Sequence, residues 1–121
     1  MVERPDHRFP RRLRLRHRST FERVFREGRR AADPLLELWA VPNGLDYSRF
    51  GLVVGRKHGP AVRRSRIKRV LREAFRLSRA ELPCGLDIVC APRIGARIEL
   101  QTSIRSLLRV ASRLAERLDN D

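Results

Sequence analysis

The segment from residue 56 to residue 79 constrains the fold more than any other part of the chain. It carries ten Arg or Lys residues and a single acid, Glu73. Its apolar residues recur at i, i+3, i+4, i+7 and i+8, which is the spacing of one helix face. We therefore predict a helix that starts after Gly59-Pro60, buries an apolar stripe and presents a cationic face. The stripe consists of Ile67, Val70, Leu71, Ala74 and Phe75.

The overall charge narrows the class of partner. The chain has 28 basic and 14 acidic residues among 121, and a formal net charge of +14. A positive field of this size attracts polyanions and speeds their encounter with the protein. No apolar run approaches the ~20 residues that cross a bilayer, and the N-terminus lacks the apolar segment of a signal peptide. We expect one domain, located in the cytoplasm, with no membrane partner.

The N-terminal part predicts a basic arm followed by a helix. Residues 1–18 contain seven Arg, two His and two Pro, and such a self-repelling segment predicts a flexible arm. Residues 19–22 read Ser-Thr-Phe-Glu, the pattern of a capping box at a helix start. Gly28 is a typical C-terminal stop, so we expect the first helix to end there. Residues 19–118 are then the folded domain and residues 119–121 a tail.

Two segments before the cationic helix predict strands. Residues 35–42 and 49–55 alternate with period two, and the turn residues 43–46 between them predict an antiparallel hairpin. Glu37 shares a face with Trp39, and because a face with Glu37 is not fully buried, we expect Trp39 to be accessible. The opposite face of this strand carries Leu36, Leu38 and Ala40.

The elements after the cationic helix complete an α+β pattern. Residues 86–92 are mostly apolar, as in a central strand, and residues 99–118 have the apolar stripe of a last helix. The order helix, strands, helix, strand, helix predicts a small α/β sandwich with helices packed on one sheet.

The sequence lacks the motifs of protein-borne catalysis and of a metal site. It has no Ser-His-Asp spacing, no H-E-x-x-H, no Walker loop and no carboxylate cluster that would hold Mg²⁺. Cys84 and Cys90 lack a zinc-like pattern, and we expect both thiols to be reduced and buried. We therefore expect no catalytic residue and no metal ligand in the protein.

Three interpretations of the cationic helix remain: a solvated face, a membrane-surface helix and a surface for a polyphosphate backbone. Solvated faces usually mix both signs, and ten bases to one acid argues against the first. A membrane-surface helix needs apolar residues free to enter lipid, whereas this stripe is committed to the core. The third interpretation is favoured.

Three aromatic residues indicate which kind of polyanion fits. Phe21 and Phe25 lie one helical turn apart, and Trp39 lies on the Glu37 face of a strand. Flat apolar surfaces beside a cationic helix suit single-stranded nucleic acid, whose unpaired bases stack on them. The alternative is a plain hydrophobic core, and for Phe21 and Phe25 taken alone this is the preferred interpretation.

The motifs resemble those of the bacterial ribonuclease P protein family. GLVVGRKHGPAVRRSRIKRVLREAFR is similar to the family's central signature, TFERVFREGRR to its first helix and LDIVCAPR to its fourth strand. The resemblance runs from about Leu13 to Leu118. It implies a mixed four-stranded sheet, the element order α-β-β-β-α-β-α and a left-handed crossover through the central helix. The general rule for parallel strands would predict a right-handed one.

The resemblance also implies a function. The chain would bind the catalytic RNA subunit and the 5′ leader of precursor tRNA, one protein per RNA, while the RNA removes the leader with Mg²⁺ held mainly by RNA. Ser65 stands where the family has Asn and lacks the amide's two donors. The implied RNA-binding residues are Arg56, Lys57, Arg63, Arg64, Ser65, Arg66, Lys68, Arg69 and Arg72. The implied leader-binding cleft consists of Phe21, Phe25, Trp39, Lys68 and Arg72.

Two other function classes remain open. One is a non-catalytic basic RNA-binding protein, such as a ribosomal component or an RNA chaperone. The other is a DNA-binding helix-turn-helix protein, which is disfavoured because a strand precedes the cationic helix where that motif requires a helix.

Overall fold

The computed structural model describes residues 10–120, which form a sheet with helices on both faces. The element order is the predicted α-β-β-β-α-β-α, and short 3-10 turns occupy Arg11–Leu13, Arg56–His58 and Arg79–Glu81. The main elements are α1 Arg18–Glu27, β1 Arg29–Ala32, β2 Leu36–Pro42, β3 Arg49–Leu52, α2 Ala61–Ser78, β4 Leu86–Pro92 and α3 Leu100–Asp119.

The strand order corrects one prediction. Within the described residues the four strands are arranged β1-β2-β4-β3, with β3 and β4 parallel and the other pairs antiparallel. The antiparallel hairpin predicted for residues 35–42 and 49–55 is wrong, because β4 lies between these strands. β4 occupies an inner position because all its residues from Leu86 to Cys90 are buried. β3 has four residues and lies at an edge of the sheet. The parallel pair needs a crossover, and α2 provides it. The left hand of this crossover stays an expectation from the resemblance.

Two apolar clusters hold the layers together. On one face of the sheet, α2 and α3 pack over Leu38, Ile88 and the other core residues, with the rings of Phe50 and Phe75 stacked at 4.5 Å. On the other face, α1 packs through Val24. The two faces of β2 therefore belong to different clusters, as the alternation predicts: Leu36, Leu38 and Ala40 lie in the larger cluster and Trp39 borders the smaller one. The smaller cluster consists of Leu15, Val24, Val41 and Val89, bordered by Phe21 and Trp39.

Part of the predicted N-terminal arm belongs to the fold. Residues 1–9 lie outside the described residues. Residues 10–17 pack against the sheet, so this part of the predicted flexible arm is ordered instead. Leu13 is 1% exposed, and Leu15 donates its N–H to the Phe50 carbonyl oxygen at 3.0 Å. The physical reason is that both leucines are buried, Leu13 in the larger apolar cluster and Leu15 in the smaller one.

The predicted N-terminal cap of α1 does not form, whereas the predicted stop at Gly28 does. The helix begins at Arg18 after His17, and no side chain caps it, so the predicted capping box does not form. Gly28 does end the helix. Its φ is −80°, so glycine is needed there for space, since a Cβ would lie 2.7 Å from the Ala40 carbonyl oxygen of β2. The first helix thus passes directly into β1.

Asp33 fixes the turn between β1 and β2 to α3. One carboxylate oxygen accepts the N–H groups of Leu35 and Leu36, both at 2.8 Å, and the other accepts the Ser106 hydroxyl at 2.7 Å. Burial alone raises the pKa of Asp33. These hydrogen bonds and the nearby Arg109 guanidinium outweigh burial, so the pKa lies below its ordinary value.

The depressed pKa predicts an acid-sensitive contribution to stability. Asp33→Asn keeps the side-chain size but removes the charge, and we expect it to lower the free energy of unfolding by about 1–3 kcal/mol near neutral pH. The carboxylate's contribution is complete above its unfolded pKa of about 3.9 and is lost as the pH falls through the lower folded pKa. Urea unfolding of both proteins should show their difference shrinking in acid.

Asp46→Asn is the matched control, because Asp46 is exposed and its substitution should change stability by less than about 0.5 kcal/mol. A difference between wild type and Asp33→Asn that stays constant from neutral to acid pH would contradict the role given to the charge.

Candidate nucleic-acid interface

The turn that leads into α2 is anchored to the end of β4 by His58. Gly55 donates its N–H to His58 Nδ1 at 3.0 Å, and Nε2 lies 2.8 Å from the Pro92 carbonyl oxygen, to which it donates. The imidazole therefore ties the 3-10 turn to the carboxyl end of the neighbouring parallel strand. Arg56 and Lys57, on the same turn, are exposed. Sequence reasoning missed His58; its position after two basic residues in G-R-K-H-G was the available signal.

The first turns of α2 present the central cationic group. Arg63, Ser65 and Arg66 are exposed, whereas Arg64 is half-buried and donates its Nε hydrogen to the Gly59 carbonyl oxygen at 3.2 Å. A guanidinium has five N–H donors, so this bond orients Arg64 and leaves four donors for a ligand. Gly59 has φ of 117°, a conformation that favours glycine and sets the angle between the turn and the helix.

The next turns of α2 bring further positive charge to the β3 edge of the sheet. Lys68 and Arg72 are half-buried and Arg69 is exposed. Burial lowers the pKa of Arg72, and the positive charge of Arg14 lowers it further, so the two cations interact across this edge. The backbone of Arg14 forms an isolated parallel β-bridge with Phe50 of β3, so the N-terminal segment adds a cation to this edge. Sequence reasoning had assigned Arg14 only to a flexible arm.

Several cations elsewhere on the helices form salt bridges with described acids, whereas those of this surface do not. Arg18 pairs with Glu22 in α1, and Arg76 pairs with Glu73 at 2.5 Å near the end of α2. Within residues 10–120, no acid forms a salt bridge with any of the eight predicted RNA-binding Arg and Lys residues. This surface therefore keeps its charge for an external anion. The eight are Arg56, Lys57, Arg63, Arg64, Arg66, Lys68, Arg69 and Arg72.

The three predicted aromatic residues lie together on the opposite face of the sheet. Phe25 is 43% exposed and meets Trp39 edge to face, with ring centroids 5.0 Å apart. Trp39 and Phe21 are half-buried over the smaller apolar cluster. A Cβ on Gly51 would lie 2.5 Å from Phe21 Cζ, so this ring occupies the space above β3 that glycine leaves empty. Phe25 and Trp39 form an accessible apolar rim, which the sequence predicts for Trp39 but not for Phe25, while Phe21 also closes the core.

The cationic and aromatic groups approach one another at the β3 edge. Leu15 packs beside Phe21, and its neighbour Arg14 lies close to Arg72 of α2. Among residues 10–120, neither Lys68 nor Arg72 stacks on one of the three rings. The predicted cleft is therefore two adjoining surfaces, with Arg14 and Leu15 between them.

The side chains do not fit a protein-borne metal site. Nowhere in residues 10–120 do three His, Cys, Asp or Glu residues come together. Cys90 is buried, as predicted, but Cys84 is exposed, and both are free thiols. Among the described helices, none has the length and apolar character needed to cross a membrane.

Comparison with known proteins decides the family. The family model for ribonuclease P matches residues 9–118 of this chain. The ribonuclease P protein component of Thermotoga petrophila is 48% identical over 85 residues, which cover 70% of this chain and 73% of the relative. The chain belongs to the ribonuclease P protein family. The component from Clostridioides difficile is 33% identical over 100 residues, covering 78% of this chain and 88% of its own.

Solved structures of ribonuclease P proteins share the fold. The protein from Thermotoga maritima superimposes with a TM-score of 0.77 at 39% identity, covering 83% of this chain and 96% of its own. The protein from Staphylococcus aureus gives a TM-score of 0.73 at 27% identity, covering 83% and 93%. The chain is thus an accessory protein subunit of a ribonucleoprotein endoribonuclease with a role in tRNA 5′ processing, and its partner is RNA.

The anchoring role of His58 is testable by substitution. His58→Ala removes both bonds of the turn, and we expect the free energy of unfolding to fall by about 1–2 kcal/mol. Lys57→Ala, whose side chain is exposed on the same turn, should change stability by less than about 0.5 kcal/mol. Equal stabilities of the two variants in urea titrations would show that His58 does not anchor the turn.

Proposed function

We propose that the α2 surface binds the catalytic RNA of ribonuclease P and that the adjoining aromatic surface receives the 5′ leader of precursor tRNA. The observation that carries this proposal is the set of eight cations that no described acid neutralises, adjoining an accessible aromatic pair. Phosphates are attracted by the first surface, and unpaired bases stack on the second. A duplex would offer no unpaired base to Phe25 and Trp39, so the aromatic pair favours a single-stranded segment such as a leader.

The start of α2 is assigned to the RNA subunit. Arg64 and Arg66 lie where the helix leaves several backbone N–H groups without intrahelical partners, which adds to the positive potential. Ser65 lies between them and presents one hydroxyl donor. Arg56 and Lys57 extend this surface onto the turn that His58 anchors. The planar forks of the arginines suit bidentate contacts with phosphate oxygens.

The β3 edge is assigned to the leader. Lys68 and Arg72 are half-buried, and close to Arg72 lies Arg14. A phosphate bound beside Arg72 would offset the repulsion between these two positive charges. The leader's phosphates would follow this edge while its bases face Phe25 and Trp39. Arg14 is our addition to the residues that the sequence predicts.

The protein's contribution is binding and positioning. Its described residues form no cluster that fits Mg²⁺, and we assign Mg²⁺ to the RNA and cleavage to the RNA subunit. The protein neutralises phosphate charge where two RNA segments meet and orients the leader. One protein acts per RNA in this scheme, in the cytoplasm, where precursor tRNA is made.

The assignment of α2 is tested with Arg64→Ala/Arg66→Ala. Loss of two phosphate contacts should weaken binding to a bacterial ribonuclease P RNA by about tenfold or more at moderate salt. The slope of log affinity against log salt should fall by about 0.7–0.9 per charge removed. Filter binding across a salt series measures both. In a cleavage assay at low Mg²⁺, wild type should stimulate leader removal, and the variant should do so less.

Arg18→Ala/Arg79→Ala is the matched control, since it removes the same charge outside the proposed site. If control and test variants lose affinity equally, net charge alone explains binding. If wild type does not stimulate leader removal at all, the alternative of a ribosomal component or RNA chaperone takes precedence.

The assignment of the aromatic surface is tested with Phe25→Ala. Because Phe25 is 43% exposed, we expect a small change in stability. Loss of one stacking platform should cost about 1–3 kcal/mol of affinity for precursor tRNA, about five- to 150-fold. Affinity for tRNA without a leader should not change. Equal losses for both substrates, or none for either, would remove Phe25 from the leader site.

A further inference from the structure

α3 carries an arginine at every fourth position over three intervals. Four residues advance a helix by about 6 Å and by slightly more than one turn, so these side chains follow one face. Like charges at this spacing repel by about 0.2–0.5 kcal/mol per pair in an isolated helix. Glu116 is the single acid between the first and last of them, and it forms no salt bridge with a described base. The α3 arginine row consists of Arg105, Arg109, Arg113 and Arg117.

Three members of the row are oriented by the outer edge of the sheet. β1 is an edge strand, and no described strand pairs with its outer side. Arg113 donates to the Ala32 carbonyl oxygen at 3.0 Å, and Arg117 donates to the Arg30 carbonyl oxygen. Arg109 lies 3.4 Å from a carboxylate oxygen of Asp33. The edge thus holds the row in place while satisfying backbone acceptors that a sheet edge exposes.

The bonds made by Arg113 and Arg117 leave their charges uncompensated. Their acceptors are neutral carbonyl groups, and each guanidinium keeps four further N–H donors. Arg105 is exposed. The acids at this edge are already engaged, Asp33 as described and Glu37 with Arg30 at 2.6 Å. Among residues 10–120, no acid forms a salt bridge with Arg105, Arg113 or Arg117, so an external anion would find positive charge here that these residues do not neutralise.

The row shares no residue with the surfaces assigned above and is remote from the edge assigned to the leader. It follows the β1 edge, whereas Arg14 and Arg72 lie at the β3 edge, three strand spacings or about 14 Å across the sheet. It also lies on the α2 and α3 face, opposite the Phe25–Trp39 pair.

We propose that the α3 arginine row is a second RNA-binding surface, which takes the phosphate backbone of a base-paired RNA segment. Single strands are bound with the help of aromatic platforms, and α3 has no aromatic residue. Membrane surfaces are bound through bulky apolar residues, and none of the exposed large apolar residues among residues 10–120 belongs to α3. A row of guanidinium forks, three of which the β1 edge orients, matches the regular phosphates of a helical RNA.

The test compares two RNA probes on the intact chain. Arg105→Gln/Arg113→Gln should weaken binding to a fluorescent RNA duplex of about 16 base pairs by roughly three- to tenfold, and lower the salt slope by about 1.8 for the two charges. Binding to a labelled single-stranded RNA should stay within about twofold. Fluorescence anisotropy across a salt series measures both.

The control for net charge is Arg18→Gln/Arg79→Gln, which should leave duplex affinity within about twofold. A second variant, Ser112→Glu, places an acid at an exposed position of α3 beside the row without removing the bonds to β1, and it should weaken duplex binding as well. Equal losses in the control, unchanged duplex affinity in both row variants, or equal losses for the single-stranded probe would each overturn the proposal.

The same variants separate this proposal from the function proposed above. Because the two surfaces do not share residues, loss of duplex affinity from Arg105→Gln/Arg113→Gln should add to that from Arg64→Ala/Arg66→Ala in the combined protein. If the α2 variants lose binding to ribonuclease P RNA while the row variants bind duplex normally, only the second surface is disproved.

Discussion

The burial of β4 on both faces is the constraint on which the other elements depend. Leu86, Ile88 and Val89 are all removed from solvent, and each stabilises the fold by about 1.5–3 kcal/mol through its burial. A strand with two apolar faces needs neighbours on both sides and layers above and below. β2 and β3 supply the neighbours, and the helices supply the layers. Asp87 at its start is fully buried and accepts two bonds from Arg49, which sets the register of β3.

Parallel pairing of β3 with β4 also determines where the cationic helix begins. A chain that leaves the carboxyl end of one parallel strand must cross over before it enters the next, and α2 makes this crossing. His58 then ties the entry of α2 to Pro92, the last residue of β4. The positive surface is consequently placed at the carboxyl ends of two parallel strands, as ligand sites often are in open sheets.

Periodicity in the sequence predicts the faces of elements better than their neighbours. The apolar stripe of α2 and the alternation in β2 are both confirmed, because they depend on local geometry. The hairpin between residues 35–42 and 49–55 is wrong, since period two identifies a strand without specifying its partner. The strand with the most apolar residues takes the buried position between its neighbours. Here that strand is β4, which is distant in the chain from β2 and β3. The prediction of a flexible arm was wrong for residues 10–17 for a related reason. The seven arginines of residues 1–18 dominate its composition, whereas Leu13 and Leu15 determine its packing.

The sequence predicts which residue types make up the candidate site, but not which of its cations are paired with acids. The sequence supplies the cations and the aromatics, and the resemblance groups them. Which cations remain un-neutralised follows only from side-chain positions, as Arg76 with Glu73 illustrates beside Arg72. The location of Arg14 near Arg72 depends on a segment of irregular structure that carries no periodic signal.

The direct passage from α1 into β1 at Gly28 has a consequence for recognition. No linker separates the helix that carries Phe25 from the sheet that carries Trp39, and the β2 backbone closes the space around the junction. The aromatic pair is thus preorganised, and the spacing of its two rings is built into the fold rather than assembled when a ligand arrives. A nucleic acid that docks there pays little of the entropy of ordering the protein, and most of that cost falls on its own flexible backbone. In the proposed function, the leader that bends most readily onto this fixed pair of rings would bind with the highest affinity.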